Sequence, residues 1–537
     1  MNWLSDRSLA ALHCGQVSRL SSLVLLLLLG IGLRLPSFEH RLLSDDEAIY
    51  AATADALAKG ARLYLDAVDH KPPAIYWVYR AGFALFGEWN THGAHAFLLL
   101  SVLLSAWCLL RCAKRAWGNV RCGFLAALLW LIFSTTWHDY DALAANCELF
   151  LVTFHTAAAL LLLGTVSDSP LKLIRTHLLI GVLIGVSALF KYQGVTWLGV
   201  VAAWAFYRSW LGQWSWKLAV SVVAVAVVGA VVPFALYVLV AWSDGSAASA
   251  LYWFEYNFHY VGNGLSGVDA LVRGLTRLAM IGGIAIVAYG FGVFVAFRNT
   301  KKLFENRLSP EDANATLLGV TWLATQTIGV CAGGRFFGHY FHLVLPPLVF
   351  LAAPAVTWVS EQKNAYRVGL FFAVACPAAV FLLLNSVARD WVLSRDAPEP
   401  AYQVVADRIK SNSAPTDRIF VWGNSPQLYV LAERSMGTRF SFCNYLTGEN
   451  PGTLKTSDSV STQNNMWKPA WDMLMSDLEA RRPQLLVDAA AGGFDGYGKY
   501  PVSAYPRLQS YIDAHYRKIE NVQGVVLYER WPSIASW

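Results

Sequence analysis

The sequence predicts an α-helical polytopic membrane protein with about eleven transmembrane helices and a C-terminal α/β domain outside the membrane. Two observations carry this. Of 537 residues, 56% are hydrophobic and 22 are tryptophan, more than a soluble globular chain carries. The apolar residues also gather into runs near 20–36, 92–111, 121–137, 147–166, 176–190, 193–210, 217–242, 278–297, 315–332, 341–359 and 367–387, approaching the roughly 20 residues that a helix needs to cross the hydrocarbon core.

The first run follows Arg7 and Arg19 and has the look of a signal peptide. No small-residue cleavage site follows it, so it reads as a retained first helix. Runs 176–190 and 193–210 are parted by Lys191-Tyr-Gln-Gly194, which must then be a very short exposed turn. The basic residues choose the sides. With the N-terminus inside, sixteen Lys and Arg fall on inner segments, whereas the short outer turns carry Lys191, Arg273, Arg277 and Arg335, as the positive-inside rule requires. The N-terminus is then cytoplasmic, and an odd helix number leaves residues 388–537 outside.

The net charge of +6 arises in residues 1–387, which hold 26 Lys and Arg against 20 Asp and Glu; residues 388–537 hold 16 of each. The excess is a topology signal, so no nucleic-acid partner is implied. Seven of the eight cysteines lie in or beside apolar runs, which argues against a disulfide framework or a paired-cysteine metal site.

The division is therefore 1–387 as a transmembrane module and 388–537 as an extracytoplasmic domain. In the latter, Arg418–Trp422, Gln484–Asp488 and Gly524–Tyr528 are apolar strand candidates. Helical stretches near 400–411, 467–481 and 505–515 alternate with them, the order of βα units.

The first outer loop, 37–91, is long for a connector and holds eight acidic residues, and such loops are usually functional. Ser44-Asp-Asp-Glu47 fits an S-x-x-E capping box at a helix running from Ala48 to Lys59, with Gly60 as its stop, and Asp45 and Asp46 suit a helix N-terminus. Equally, Asp45 or Asp46 is placed to act as a general base on an acceptor hydroxyl, with Glu47 mainly structural. Pro72 and Pro73 preset another helix start, and Tyr76, Trp77 and Tyr79 suit the membrane interface. Lys71 either pairs with Asp69 in solvent or binds a phosphate at the membrane surface.

Two further outer turns carry chemistry. His138-Asp-Tyr-Asp141, with Asn146 and Glu148, precedes and enters the fourth helix. A carboxylate entering an apolar helix is costly unless paired, which marks Glu148 as a functional candidate, with an interfacial helix-start glutamate as the alternative. Gly333-Gly-Arg335 through His339 and Tyr340 sets an arginine among glycines and aromatics. Arg335 can bind phosphate bidentately or anchor the interface, and His339 can bind phosphate, bind metal or simply pack.

Asp45-Asp-Glu-Ala-Ile-Tyr50, Asp69-His-Lys-Pro-Pro73, Asn146-Cys-Glu148, Lys191-Tyr-Gln-Gly194 and Arg335-Phe-Phe-Gly-His-Tyr340 followed by Pro346-Pro347 together resemble the bacterial dolichyl-phosphate-mannose-protein mannosyltransferases. Their relatives that add aminoarabinose to lipid A share the pattern. Residues 20–387 carry this resemblance, which implies the C-type glycosyltransferase (GT-C) fold. It also implies inverting transfer of a sugar from a polyprenyl-phosphate donor to an envelope acceptor at the outer face of a bacterial inner membrane. By position, Asp45 or Asp46 would supply the base, and Glu148 would match the second acidic position, where many relatives have Asp. Lys71, Arg335 and His339 would hold the donor phosphate. Glu47, Tyr50, Asp69, Asp141 and Tyr340 are candidate sugar contacts. Some members use a divalent cation, which Mg or Mn held by Asp45, Asp46 and Glu148 would satisfy, although the sequence does not require one. The alternatives are an oligosaccharyl ligase with a diphosphate donor and a transporter or flippase; the latter predicts midplane charges and related halves, which the sequence lacks.

Overall fold

The computed structural model describes residues 5–136, 140–167, 169–262, 264–265, 267–384, 401–449 and 460–531. His138 and Asp139 lie outside the described residues. Fifteen helices lead the chain: α1 (Ser5–Arg34), α2 (Asp45–Ala58), α3 (Ala74–Phe86), α4 (His92–Ala116), α5 (Val120–Phe133), α6 (Cys147–Leu163), α7 (Pro170–Phe190), α8 (Leu198–Trp210), α9 (Trp216–Ser243), α10 (Ala247–Gly262), α11 (Gly267–Ile284), α12 (Ile286–Phe304), α13 (Pro310–Cys331), α14 (Leu345–Ser360) and α15 (Asn364–Leu384).

Every apolar run meets helix. Among the described residues, five helices are long and apolar enough to cross a membrane, or six if α11 and α12 count as one span; Val120–Phe133, Cys147–Leu163 and Leu345–Ser360 are shorter apolar helices. Run 278–297 is not one helix. The chain bends by 106° between α11 and α12, where Gly282 and Gly283 offer the backbone little resistance and Ala285 leaves helical geometry at φ −92°, ψ 33°. Hydropathy cannot register such a change of direction. Helix α10 occupies the stretch between runs 217–242 and 278–297, where hydropathy marks no spanning segment.

The exposed sides of α9, α11, α12 and α15 carry large apolar residues such as Leu236, Leu239, Leu275, Phe297 and Phe371, the surface that a lipid environment tolerates and water does not. Small residues let the helices inside approach closely. A Cβ on Gly181 would sit 2.1 Å from the Ala226 carbonyl oxygen, so α7 and α9 touch backbone to backbone there.

Residues 418–530 form a five-stranded sheet of order β2-β1-β3-β5-β4. Its strands are β1 (Arg418–Trp422), β2 (Ser435–Met436), β3 (Leu485–Asp488), β4 (Tyr516–Val522) and β5 (Val525–Arg530). β1 runs parallel to β2 and β3, and β5 antiparallel to β3 and β4. Helices Ala401–Ser411, Ala470–Arg481 and Pro506–His515 lie close to the expected stretches. Gly524, expected to open a strand, instead turns the β4–β5 hairpin with Gln523, at φ 86° and 54°, the left-handed pair that a two-residue hairpin needs.

The first loop is fastened to this sheet. Val68 bridges Phe440 in parallel, Arg41 pairs with Glu433 at 2.8 Å, and Ser435 donates to Asp55 at 2.8 Å. Helix α2 thus lies between the membrane helices and the β2 edge, and its N-terminus is fixed from both sides.

Candidate functional site

Helix α2 begins as the capping box predicts: Ser44 Oγ accepts from the Glu47 backbone N–H at 3.4 Å. The Glu47 carboxylate then departs from that motif. It is fully buried and accepts from Leu43 N–H at 2.6 Å and Ala145 N–H at 2.6 Å, with His95 Nε2 at 2.8 Å. Glu47 thus ties three segments together from a fully buried position.

One residue earlier, Asp46 points into a cavity of about 1190 Å³ lined also by Asp45, Lys71, Asp141, Lys191, Arg335, His339 and Tyr340. Lys71 Nζ lies 2.6 Å from Asp46 Oδ1 and donates to Tyr50 Oη at 2.8 Å. Lys71 therefore pairs with Asp46 and not with Asp69. Burial opposes the charge of both groups, yet Lys71 and then His339 hold Asp46 below the usual carboxylate range, and Asp46 and Asp69 hold Lys71 above its ordinary value.

Tyr50 and Asp69 support Lys71 from behind. Tyr50 is buried, sits under the Lys71 ammonium at 4.5 Å and reaches Cys147 Sγ at 3.5 Å. Asp69 accepts from His70 N–H at 2.7 Å and from Tyr76 Oη at 2.7 Å. Tyr76 and Tyr79 are buried, not interfacial; Trp77 keeps an exposed ring. Tyr50 and Asp69 are held by these bonds, and Asp69 also lines the cavity.

Asp45 turns toward the sheet. Its carboxylate accepts from Gln427 Nε2, and lost hydration followed by repulsion from Asp495 and Asp46 raises it to about 7. The two aspartates thus divide: Asp46 meets the cations of the cavity, Asp45 the C-terminal region.

Across the cavity stands a second alternation of charge. Glu148, 1% exposed at the start of α6, is paired with Lys191 Nζ and lies 3.8 Å from His339 Nε2. His339 Nδ1 meets Asp141 Oδ1 at 2.7 Å, and its N–H donates to Asp141 Oδ2 at 3.0 Å. Asp141 and Glu148 lift His339 above its ordinary value against burial, so it favours the imidazolium. Lys191 stacks 3.6 Å from the centre of the Tyr340 ring, and Arg335 lies over Tyr260 at 3.8 Å while donating to the Tyr260 carbonyl at 2.8 Å.

Lys191 escaped the sequence reading as a site residue. Its segment is not an exposed turn but a 3₁₀ helix, Tyr192–Trp197, in the cavity wall. Gly194 permits this: a Cβ there would lie 2.5 Å from Ser187 Oγ and 2.6 Å from Ala188 N, so only glycine lets the segment fold back on α7. The signal in the sequence was the Lys-x-x-Gly spacing itself. Gly334 does similar service at φ 61°, where a Cβ would lie 2.2 Å from the Leu265 carbonyl oxygen.

Asp45, Asp46 and Glu148 do not make a shared metal site. Lys71 stands against Asp46 and Lys191 against Glu148, and among the described residues no three His, Cys, Asp or Glu side chains gather as ligands. This donor set does not fit a divalent cation, because ammonium groups already occupy Asp46 and Glu148 and the Gln427 amide takes Asp45.

Apolar side chains complete the cavity: Val227, Val231 and Phe234 of α9, Leu251 and Phe254 of α10, and Ile328 of α13. Asn424, Asn444, Tyr445 and Glu449 enter from the C-terminal region. Charged side chains gather around Asp46 and Lys71, and apolar side chains line much of the remainder.

Residues 70–237, which include Lys71, Glu148 and Lys191, match the family described as dolichyl-phosphate-mannose-protein mannosyltransferase. No curated protein matches the chain by sequence. Among solved structures, ArnT from Cupriavidus metallidurans bound to undecaprenyl phosphate is similar with a TM-score of 0.60 at 16% identity, over 97% of this chain and 99% of that one. The same protein in the apo state gives 0.57 at 16% identity, over 96% and 98%. The oligosaccharyltransferase AglB from Archaeoglobus fulgidus, in complex with an inhibitory peptide and a dolichol-phosphate, gives 0.54 at 13% identity, over 96% and 74%. The chain has the fold of these GT-C glycosyltransferases, and the family match over residues 70–237 bears out its resemblance to the mannosyltransferase family.

Proposed function

We propose that the protein is an inverting glycosyltransferase that moves a sugar from a polyprenyl-phosphate donor to an envelope acceptor at the outer face of a bacterial inner membrane. The observation that carries this reading is the cavity with a cationic head and an apolar body. Lys71, Lys191, Arg335 and His339 surround the end reached by Asp46, and apolar side chains of α9 and α10 line the rest. An amphipathic molecule with an anionic head and a long hydrocarbon tail matches both halves, and a soluble nucleotide sugar would leave the apolar half unused.

Asp46 is the base in this reading. It removes the proton of an acceptor hydroxyl as that oxygen bonds to the anomeric carbon, and the bond from that carbon to the donor phosphate oxygen breaks on the opposite face. The proton remains on Asp46, and polyprenyl phosphate leaves with one more negative charge. Lys71, Lys191, Arg335 and His339 stabilise that growing charge from fixed positions, which lowers the barrier without reorganisation during the step. Glu148 and Asp141 are positioning residues: the first holds Lys191 and the second orients His339. Asp45 joins the loop to the C-terminal region.

Within this reading, residues 1–387 form the membrane module with a cytoplasmic N-terminus. Residues 388–537 lie outside and help to enclose the acceptor side. The deciding experiment supplies purified chain with a polyprenyl-phosphate sugar and, in parallel, a polyprenyl-diphosphate sugar, and follows transfer by mass. Transfer from the monophosphate donor, lost in Asp46→Asn and Lys71→Ala while both variants stay folded, is the expected result. Full activity in both variants overturns it.

A further inference from the structure

Helix α2 joins the cavity to a second depression. Its 14 residues span about 20 Å at 1.5 Å per residue, and at its far end a pocket of about 500 Å³ opens against the β2 edge of the sheet. Asp55, Lys59, Asp66, Arg418, Ser435 and Arg481 line it.

Its carboxylates are already matched. Asp55 takes Lys59 at 2.6 Å, and Asp66 takes Arg62 through Nε at 2.7 Å and Nη2 at 3.2 Å. Arg418 and Arg481 are different. Among the described residues, neither forms an ion pair; Arg481 donates to the Asp66 backbone carbonyl at 3.1 Å. Nearby Arg439 is taken up by Asp477, with two contacts of 2.8 Å. Burial pushes the Arg481 guanidinium down, Asp477 and Asp66 pull it back up, and Arg418 and Arg439 push it down further. Arg418 and Arg481 thus share one pocket whose nearest carboxylates, Asp66 and Asp477, are already paired with Arg62 and Arg439, and guanidinium groups so placed recognise planar or tetrahedral oxyanions through paired N–H donors.

We propose that this pocket binds a phosphate group through Arg418 and Arg481, as a second anion site about 20 Å from the Asp46–Lys71 pair. The site stands independently of the transfer reaction. Its phosphate has two sources, a phospholipid headgroup or a phosphate carried on a soluble or glycan ligand, and the shared chemistry is the same.

The test uses the full chain in detergent with inorganic pyrophosphate as probe, in a Lys71→Ala, Arg335→Gln background that removes two of the cavity's four phosphate-binding cations. Calorimetric binding in that background, weakened about tenfold or more by Arg418→Gln with Arg481→Gln, is the expected result. Unchanged binding overturns the proposal. A measurement on the wild-type chain decides the same question without those variants: pyrophosphate protects Arg418 and Arg481 from phenylglyoxal, read by peptide mass, and equal modification with and without it overturns the site. Repeating the protection in nanodiscs assigns the source. Protection by phosphatidylglycerol without added pyrophosphate identifies the headgroup, and protection that still requires pyrophosphate there identifies a non-membrane phosphate.

Discussion

Lys71 lies 2.6 Å from Asp46, and both side chains reach the same cavity. The pairing joins a candidate base to a candidate phosphate ligand, so each sets the charge state of the other. A donor phosphate entering the cavity would compete with Asp46 for the ammonium and free the carboxylate as the donor arrives.

Asp46→Asn and Lys71→Ala are therefore expected to lose transfer by about 100-fold or more, the scale of removing a general base or a transition-state charge partner. Thermal unfolding and size-exclusion profiles check that both remain folded. Asp45→Asn is expected to lose less, because its carboxylate serves Gln427.

Glu148 and Lys191 form a buried ion pair. Glu148→Ala or Lys191→Ala alone should destabilise the protein by about 3–5 kcal/mol, since each leaves an uncompensated charge. Glu148→Ala combined with Lys191→Ala should cost less than the sum of the single changes. Denaturant unfolding of the four proteins gives the coupling. Additive losses would refute it.

The raised Asp45 fixes a sign for pH dependence. Its folded value of about 7 lies above the ordinary 3.8, so the folded state holds the proton longer than the unfolded state does. Stability associated with Asp45 is then present below about pH 4 and declines as pH rises toward 7. Asp45→Asn should flatten this part of the unfolding-midpoint profile and raise the midpoint at pH 8. Superimposable profiles for the two proteins would contradict the assignment.

Gly194→Val places atoms where Ser187 and Ala188 already sit. A loss of about 1–3 kcal/mol is expected from overpacking, together with reduced transfer as Lys191 is displaced. Gly262→Ala, which meets nothing within 4 Å, serves as the comparison and should leave both quantities unchanged.

The apolar runs were legible because hydrophobicity is written locally, and so was the capping of α2. The break at Ala285 was not, since an apolar residue scores alike before and after a bend. The burial of Glu47 was equally hidden: its partners His95 and Ala145 lie 48 and 98 residues away, and a capping box looks the same whether its glutamate faces water or a core. Lys191 read as a turn residue because its meaning depends on Glu148, 43 positions earlier. The aspartate pair could not be divided from sequence because Gln427, which separates their roles, lies 382 positions beyond Asp45.

The bridge between Val68 and Phe440 has a consequence in time. The first loop leaves the ribosome roughly 370 residues before its partner, an interval of about 20–70 s at 5–20 residues per second. Throughout it, Asp45 and Asp55 lack Gln427 and Ser435, and the polar edge of α2 stays open to water. Closure of the centre by the C-terminal region must therefore come late in the life of the nascent chain, and a product arrested before residue 427 would hold the Asp46–Lys71 and Glu148–Lys191 pairs without the glutamine that takes Asp45.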